Sequence, residues 1–70
     1  MATKGKVRDA LRIVRKDGWV MIKSHGGSHR QFKHPQKSGR VTINGHEGDD
    51  LPVWLWDSIM AQAGLPQEEA

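Results

Sequence analysis

The chain has 70 residues, which leaves room for one small domain and excludes a large cleft enzyme, given the roughly 100 to 200 residues of a typical domain. Hydrophobic residues make up 36% and charged residues 27%, with a mean hydropathy of -0.68, so the core is expected to be thin and to lean on a few bulky anchors. There is no cysteine, which excludes disulfides and thiolate metal sites. All 11 Lys and Arg lie between Lys4 and Arg40 against only Asp9 and Asp17, whereas the last 30 residues hold six acids and no base.

A basic half of this kind, gathered on one face, attracts phosphates, and a pI of about 9.7 points the same way. Nucleic acid is the leading partner class. No stretch approaches the roughly 20 apolar residues of a membrane span, and no apolar segment follows the charged start Met1 to Lys6. A soluble protein of the cytoplasm, with no membrane partner, is therefore expected.

Between Gly5 and Asp17, the residues Val7, Ala10, Leu11 and Val14 recur at i, i+3, i+4 and i+7, which predicts a helix with one apolar stripe. Arg8, Arg12, Arg15 and Lys16 fall on the adjoining face. Gly18 suits the left-handed position after a helix, with Trp19 folding back on the last turn. Trp19 to Lys23 and Arg30 to His34 read as two strands joined by a small, polar, glycine-rich loop. Pro35 to Gly39 reads as a turn, and Val41, Thr42 and Ile43 as a third strand.

Asn44 to Asp50 is expected to be a loop, with Pro52 in the first turn of a second helix. On that helix Val53, Leu55, Trp56, Ile59, Met60 and Ala63 share an arc of roughly 160°. Gly64, Leu65 and Pro66 form a stop signal. The ordered core is placed at about residues 6–65, with a frayed tail over 66–70. The order α-β-β-β-α makes one α+β domain, a three-stranded antiparallel sheet with two helices on one face, as in double-stranded RNA-binding domains.

Four histidines, His25, His29, His34 and His46, fall within the middle third of the chain. Histidine both takes and gives a proton near neutral pH, and glycine beside it lets a phosphodiester approach the backbone. Gly27-Ser28-His29, followed by Arg30-Gln31-Phe32-Lys33-His34-Pro35, is the most informative run. Asp17-Gly18-Trp19 precedes it; Arg40-Val41-Thr42-Ile43 with Gly45-His46, Asp50-Leu51-Pro52 and Ala63-Gly64-Leu65 follow. These blocks, from about Val7 to Leu65, resemble the HicA toxins, small ribonucleases that cleave messenger RNA and are neutralised by a HicB antitoxin.

The resemblance implies a double-stranded RNA-binding fold and puts the family's functional histidine on His29, with Gly27 and Ser28 in its block and Phe32 as the strand's aromatic anchor. With no carboxylate or cysteine cluster in the sequence, the endoribonuclease that the resemblance implies is expected to work without metal, with His29 as general base on the ribose 2′-hydroxyl, no cofactor, and His25 as candidate proton donor. Arg8, Arg12, Arg15, Lys16, Lys23, Ser28, Arg30, Lys33, Lys37 and Arg40 are the expected RNA contacts. The second helix departs from the family pattern, since Val53-Trp54-Leu55-Trp56-Asp57 carries no base.

Other readings compete with these. The histidines as zinc ligands are disfavoured by the lack of cysteine and of a close-spaced pair on a helix. His34 and His46 read as strand-end or structural groups, and Trp19 and Trp56 as core anchors. Trp54 lies off the apolar arc, either folded against the Asn44 to Asp50 loop or exposed as a protein interface. The alternatives to the nuclease are a non-catalytic RNA-binding module of the same fold and a decayed family member acting through Trp54.

Overall fold

The structure, a computed structural model, describes residues 3–66; apart from Pro66, the expected tail lies outside the described residues. A short strand β1 (Thr3–Lys6) leads into helix α1 (Val7–Lys16), in which Val7, Ala10, Leu11 and Val14 are all buried, as their spacing predicts. The first turn is held from outside: the Lys6 amide donates to the Asp9 carboxylate at 2.9 Å, and those of Val7 and Arg8 donate to the Asp49 and Glu47 carbonyls. At the other end Gly18 takes φ +106°, its amide donates to the Arg15 carbonyl, and that of Trp19 reaches back to Val14. This is the paired-bond stop that a left-handed glycine permits. It drives the Trp19 ring into the core, where Nε1 donates to the Ala63 carbonyl at 3.3 Å.

Strands β2 (Val20–His25), β3 (His29–Lys33) and β4 (Val41–Asn44) form an antiparallel sheet in the order β2-β3-β4. Successive side chains in a strand point to opposite faces; β2 is exposed along its length, but in β3 and β4 the two faces are sharply unlike. Arg30, Phe32, Val41 and Ile43 point inward and are buried; His29, Lys33, Thr42 and Asn44 point away and are exposed. The inner set meets the α1 stripe together with Ile59, Met60 and Ala63 of the second helical segment. Fully burying each of the larger apolar side chains contributes about 1.5 to 3 kcal/mol.

Helix α2 (Val53–Gln62) completes the layer on the same side as α1. Its expected arc divides along its length: Ile59, Met60 and the cap Ala63 are buried, while Val53, Leu55 and Trp56 are half-buried. Trp56 is therefore a flank rather than a core anchor. It lies over Gly5, where an added Cβ would come within 2.9 Å of its ring. Trp54 is 67% exposed, the second of its two expected placements. The helix ends as α1 does, with Gly64 at φ +67° and the Leu65 amide donating to the Met60 carbonyl at 2.9 Å.

One element departs from the expected string. Strand β1 pairs antiparallel with β5 (Asp50–Pro52) in a separate two-stranded ribbon, so the Asn44 to Asp50 loop ends in a strand. Pro52 is accordingly extended, at φ −58° and ψ 154°, and α2 starts one residue later. The ribbon holds because Leu51 is buried beneath it and Lys6 Nζ reaches the Asp50 carboxylate at 2.8 Å. No helix among the described residues is long and apolar enough to cross a membrane.

Candidate functional site

The alternation of β3 decides which side chains meet. His29 pairs with His25 on one side and Asn44 on the other, and Gln31 pairs with Lys23 and Thr42. Directly opposed residues in an antiparallel pair share a face. The face that the helices leave open thus carries His25, His29 and Asn44 in one row, and Lys23, Gln31 and Thr42 in the next. Val20 and Lys33 form the third row, at the far end from the hairpin. Arg40 joins this face by donating to Gln31 Oε1 at 3.2 Å.

The hairpin that presents His29 turns through Gly26 and Gly27, both left-handed at φ +59° and +73°. Two consecutive residues of that kind favour glycine for the absence of a Cβ. Ser28 follows half-buried; its carbonyl accepts the Gly45 amide at 2.7 Å and its hydroxyl lies 3.1 Å from His29 Nδ1. The imidazole is thus tethered through one nitrogen while the side chain is exposed.

Two of the expected RNA contacts are instead committed to partners within the fold. Arg30 is 7% exposed because it shares the inner face with Phe32. Its guanidinium donates to the Gly45 carbonyl at 2.9 Å and the Gly27 carbonyl at 2.5 Å, clamping the hairpin to the end of β4. Lys37 is turned to the end of α1, where Nζ bonds the Asp17 carboxylate at 2.6 Å and the Ala63 carbonyl at 3.1 Å. That hydrogen bond to Asp17 is the main reason its carboxyl is held below its usual pKa.

His34 is built into the same corner. Its Nδ1 accepts the Gln36 and Lys37 amides at 3.0 and 3.2 Å, which leaves Nε2 to donate to the Asp17 carbonyl at 2.8 Å. Its ring meets that of Trp19 edge to face at 5.2 Å. This is a structural histidine. His46 is exposed, its amide bonded to the Asp49 carboxylate at 3.0 Å. Arg8, Arg12, Arg15 and Lys16 are exposed on α1, in the layer behind the sheet and off the face of His29. Trp54 stands on α2, likewise away from it.

Sequence reasoning missed Asn44 as the cross-strand neighbour of His29, and Gly45 as the anchor of its hairpin. Gly45 carries a signal, because its φ of +106° demands glycine; Asn44 carries none, since its role depends on register. Among the described residues no three of His, Cys, Asp or Glu come together as a metal-ligand group.

Comparison with protein families gives a match over most of the chain. The family model described as the HicA toxin of bacterial toxin-antitoxin systems covers residues 7–65, from the first residue of α1 to the residue that folds back after α2. A search of curated proteins finds no matching sequence. The matched span takes in both helices, the three-stranded sheet and the His25 to His29 hairpin, and the chain belongs to the HicA family, the toxins of toxin-antitoxin systems.

Proposed function

We propose that the protein is an endoribonuclease that cuts messenger RNA, with His29 as its general base. The observation that carries this reading is the pairing of His25 and His29, both exposed on one face beside Lys23 and Asn44. In the proposed step His29 Nδ1–H donates to the Ser28 hydroxyl, leaving Nε2 to accept the proton of a ribose 2′-hydroxyl. The 2′-oxygen attacks the adjacent phosphorus, the bond from phosphorus to the 5′-oxygen breaks, and His25 delivers a proton to that leaving oxygen. The products are a 2′,3′-cyclic phosphate and a 5′-hydroxyl.

Acid-base catalysis by one positioned group supplies about 10² to 10⁴ in rate. Lys23, in the row next to the two histidines, would offset charge on the phosphoryl oxygens in the transition state. Family membership implies a partner antitoxin; a HicB-type partner that covers His29 would block this step. Cleaving a defined messenger and determining both new ends tests the mechanism. Cyclic phosphate and 5′-hydroxyl ends are expected, and 5′-phosphate ends would contradict attack by the 2′-oxygen.

A further inference from the structure

We infer that RNA binds as a single strand along the open face of the β2-β3-β4 sheet, with Lys23, Lys33 and Arg40 holding its phosphates, and that the basic face of α1 takes no part. This rests on the nuclease reading only in placing the reacting ribose at His29.

Charge is the first argument. The three strands contain no Asp or Glu, so the charges that the open face carries are all positive: Lys23 in the second row, Lys33 beside the exposed Val20 in the third, and Arg40 reaching Gln31 between them. The α1 face is less uniform, because Asp9 lies beside Arg12 at 3.1 Å. Lys37, the other base of this region, is committed to Asp17.

Reach is the second. Lys33 and His29 lie four residues apart on β3, about 13 Å at the usual strand rise, so the cations lead along the strand toward the histidine. The α1 cations are separated from His29 by the sheet and the core it covers. A strand lying against His29 would have to wrap around the molecule to meet them.

Chemistry is the third. Attack by the 2′-oxygen needs that oxygen, the phosphorus and the leaving 5′-oxygen nearly in line, a geometry that a regular duplex withholds and an unpaired strand adopts freely. The open face carries no Trp, Phe or Tyr to act as a stacking platform, only the rings of His25 and His29: Trp19 and Phe32 are buried, and Trp54 and Trp56 belong to α2. Binding therefore reads the backbone and is tolerant of sequence, unlike modules that stack bases on aromatics.

The test uses the His29→Ala chain, so that RNA stays intact, with a labelled single-stranded oligoribonucleotide and a 16-base-pair duplex between 50 and 200 mM salt. Replacing Lys23, Lys33 and Arg40 together by Gln is expected to weaken single-strand binding at least tenfold. The slope of log affinity against log salt should become shallower by about 2, at about 0.7 for each phosphate that the protein no longer neutralises. Replacing Arg12, Arg15 and Lys16 by Gln is expected to leave affinity and slope unchanged, and the duplex should bind more weakly than the single strand. All six side chains are exposed, so both variants should fold, which thermal melts would check. A slope change confined to the α1 variant, tighter binding of duplex, or no binding at all would overturn the proposal. Cleavage by the chain with His29 intact is scored separately, so an inactive protein that still binds through the sheet would sink the nuclease reading and leave this surface standing.

Discussion

His25 and His29 are register partners across the β2–β3 hairpin, and both are exposed on the side of the sheet that the helices leave open. Only the two-residue alternation of antiparallel strands puts them there together, with three residues of loop between them.

This pairing distinguishes the two histidines by role. If His25 protonates the leaving oxygen, His25→Ala slows cleavage of an ordinary phosphodiester by about 10² to 10⁴-fold, the range of general acid catalysis. The same variant should cleave a ribonucleoside 3′-(4-nitrophenyl phosphate) at nearly the wild-type rate, because nitrophenolate leaves without a proton. Equal losses on both substrates would remove His25 from the proton transfer.

Arg30 carries a second prediction. The buried guanidinium satisfies the carbonyls of Gly27 and Gly45 through two part-buried bonds, so Arg30→Met takes away the donor of both. A loss on the order of 1 to 3 kcal/mol is expected in urea unfolding. An Arg30→Met chain as stable as wild type, but with a shallower salt dependence of RNA binding, would return Arg30 to the RNA surface.

The turn after α1 gives a third. Gly18 sits at φ +106°, and a Cβ there would come 2.8 Å from His34 Nε2. Gly18→Ala therefore combines backbone strain with displacement of a ring that bonds Asp17 and packs on Trp19. It should destabilise by about 1 to 3 kcal/mol. Gly26→Ala, at φ +59° with nothing within 4 Å, should cost only the backbone strain, about 1 to 2 kcal/mol. Equal losses in thermal melts of the two variants would contradict the His34 contact.

How much of this was legible in the sequence depends on the range of the interaction. The helices were readable because their information is local: the Val7 to Val14 stripe and the glycines after each helix specify elements from neighbouring residues alone. The inward turn of Arg30 was also accessible, since it stands two residues from Phe32 and shares its face in any strand, although its charge suggested the surface. The β1–β5 ribbon was not, because Thr-Lys-Gly-Lys has no apolar alternation and its partner lies more than 40 residues away. The Lys37–Asp17 bond was hidden for the same reason, joining residues 20 apart through the turn after β3. The placement of Trp54 was open on the helix wheel, which fixes direction but not what stands beside it.

The Lys37–Asp17 pair sets an acid limit. The hydrogen bond from Lys37 lowers the Asp17 pKa from the ordinary aspartate value of 3.8. A carboxyl depressed on folding adds stability that is present above its unfolded value and is lost as pH falls through the folded one. The stability difference between wild type and Lys37→Met should thus be flat at neutral pH and shrink below 3.8. A difference that instead persists unchanged into strong acid would assign the effect of Lys37 to its bond with Ala63.

The most direct test of the central claim is to incubate the purified chain and its His29→Ala variant with mixed messenger RNA in EDTA, after circular dichroism shows both folded. The account predicts that the unmodified chain cuts the RNA and the variant does not. Intact RNA with both proteins, or equal cleavage by both, would contradict a metal-independent nuclease centred on His29.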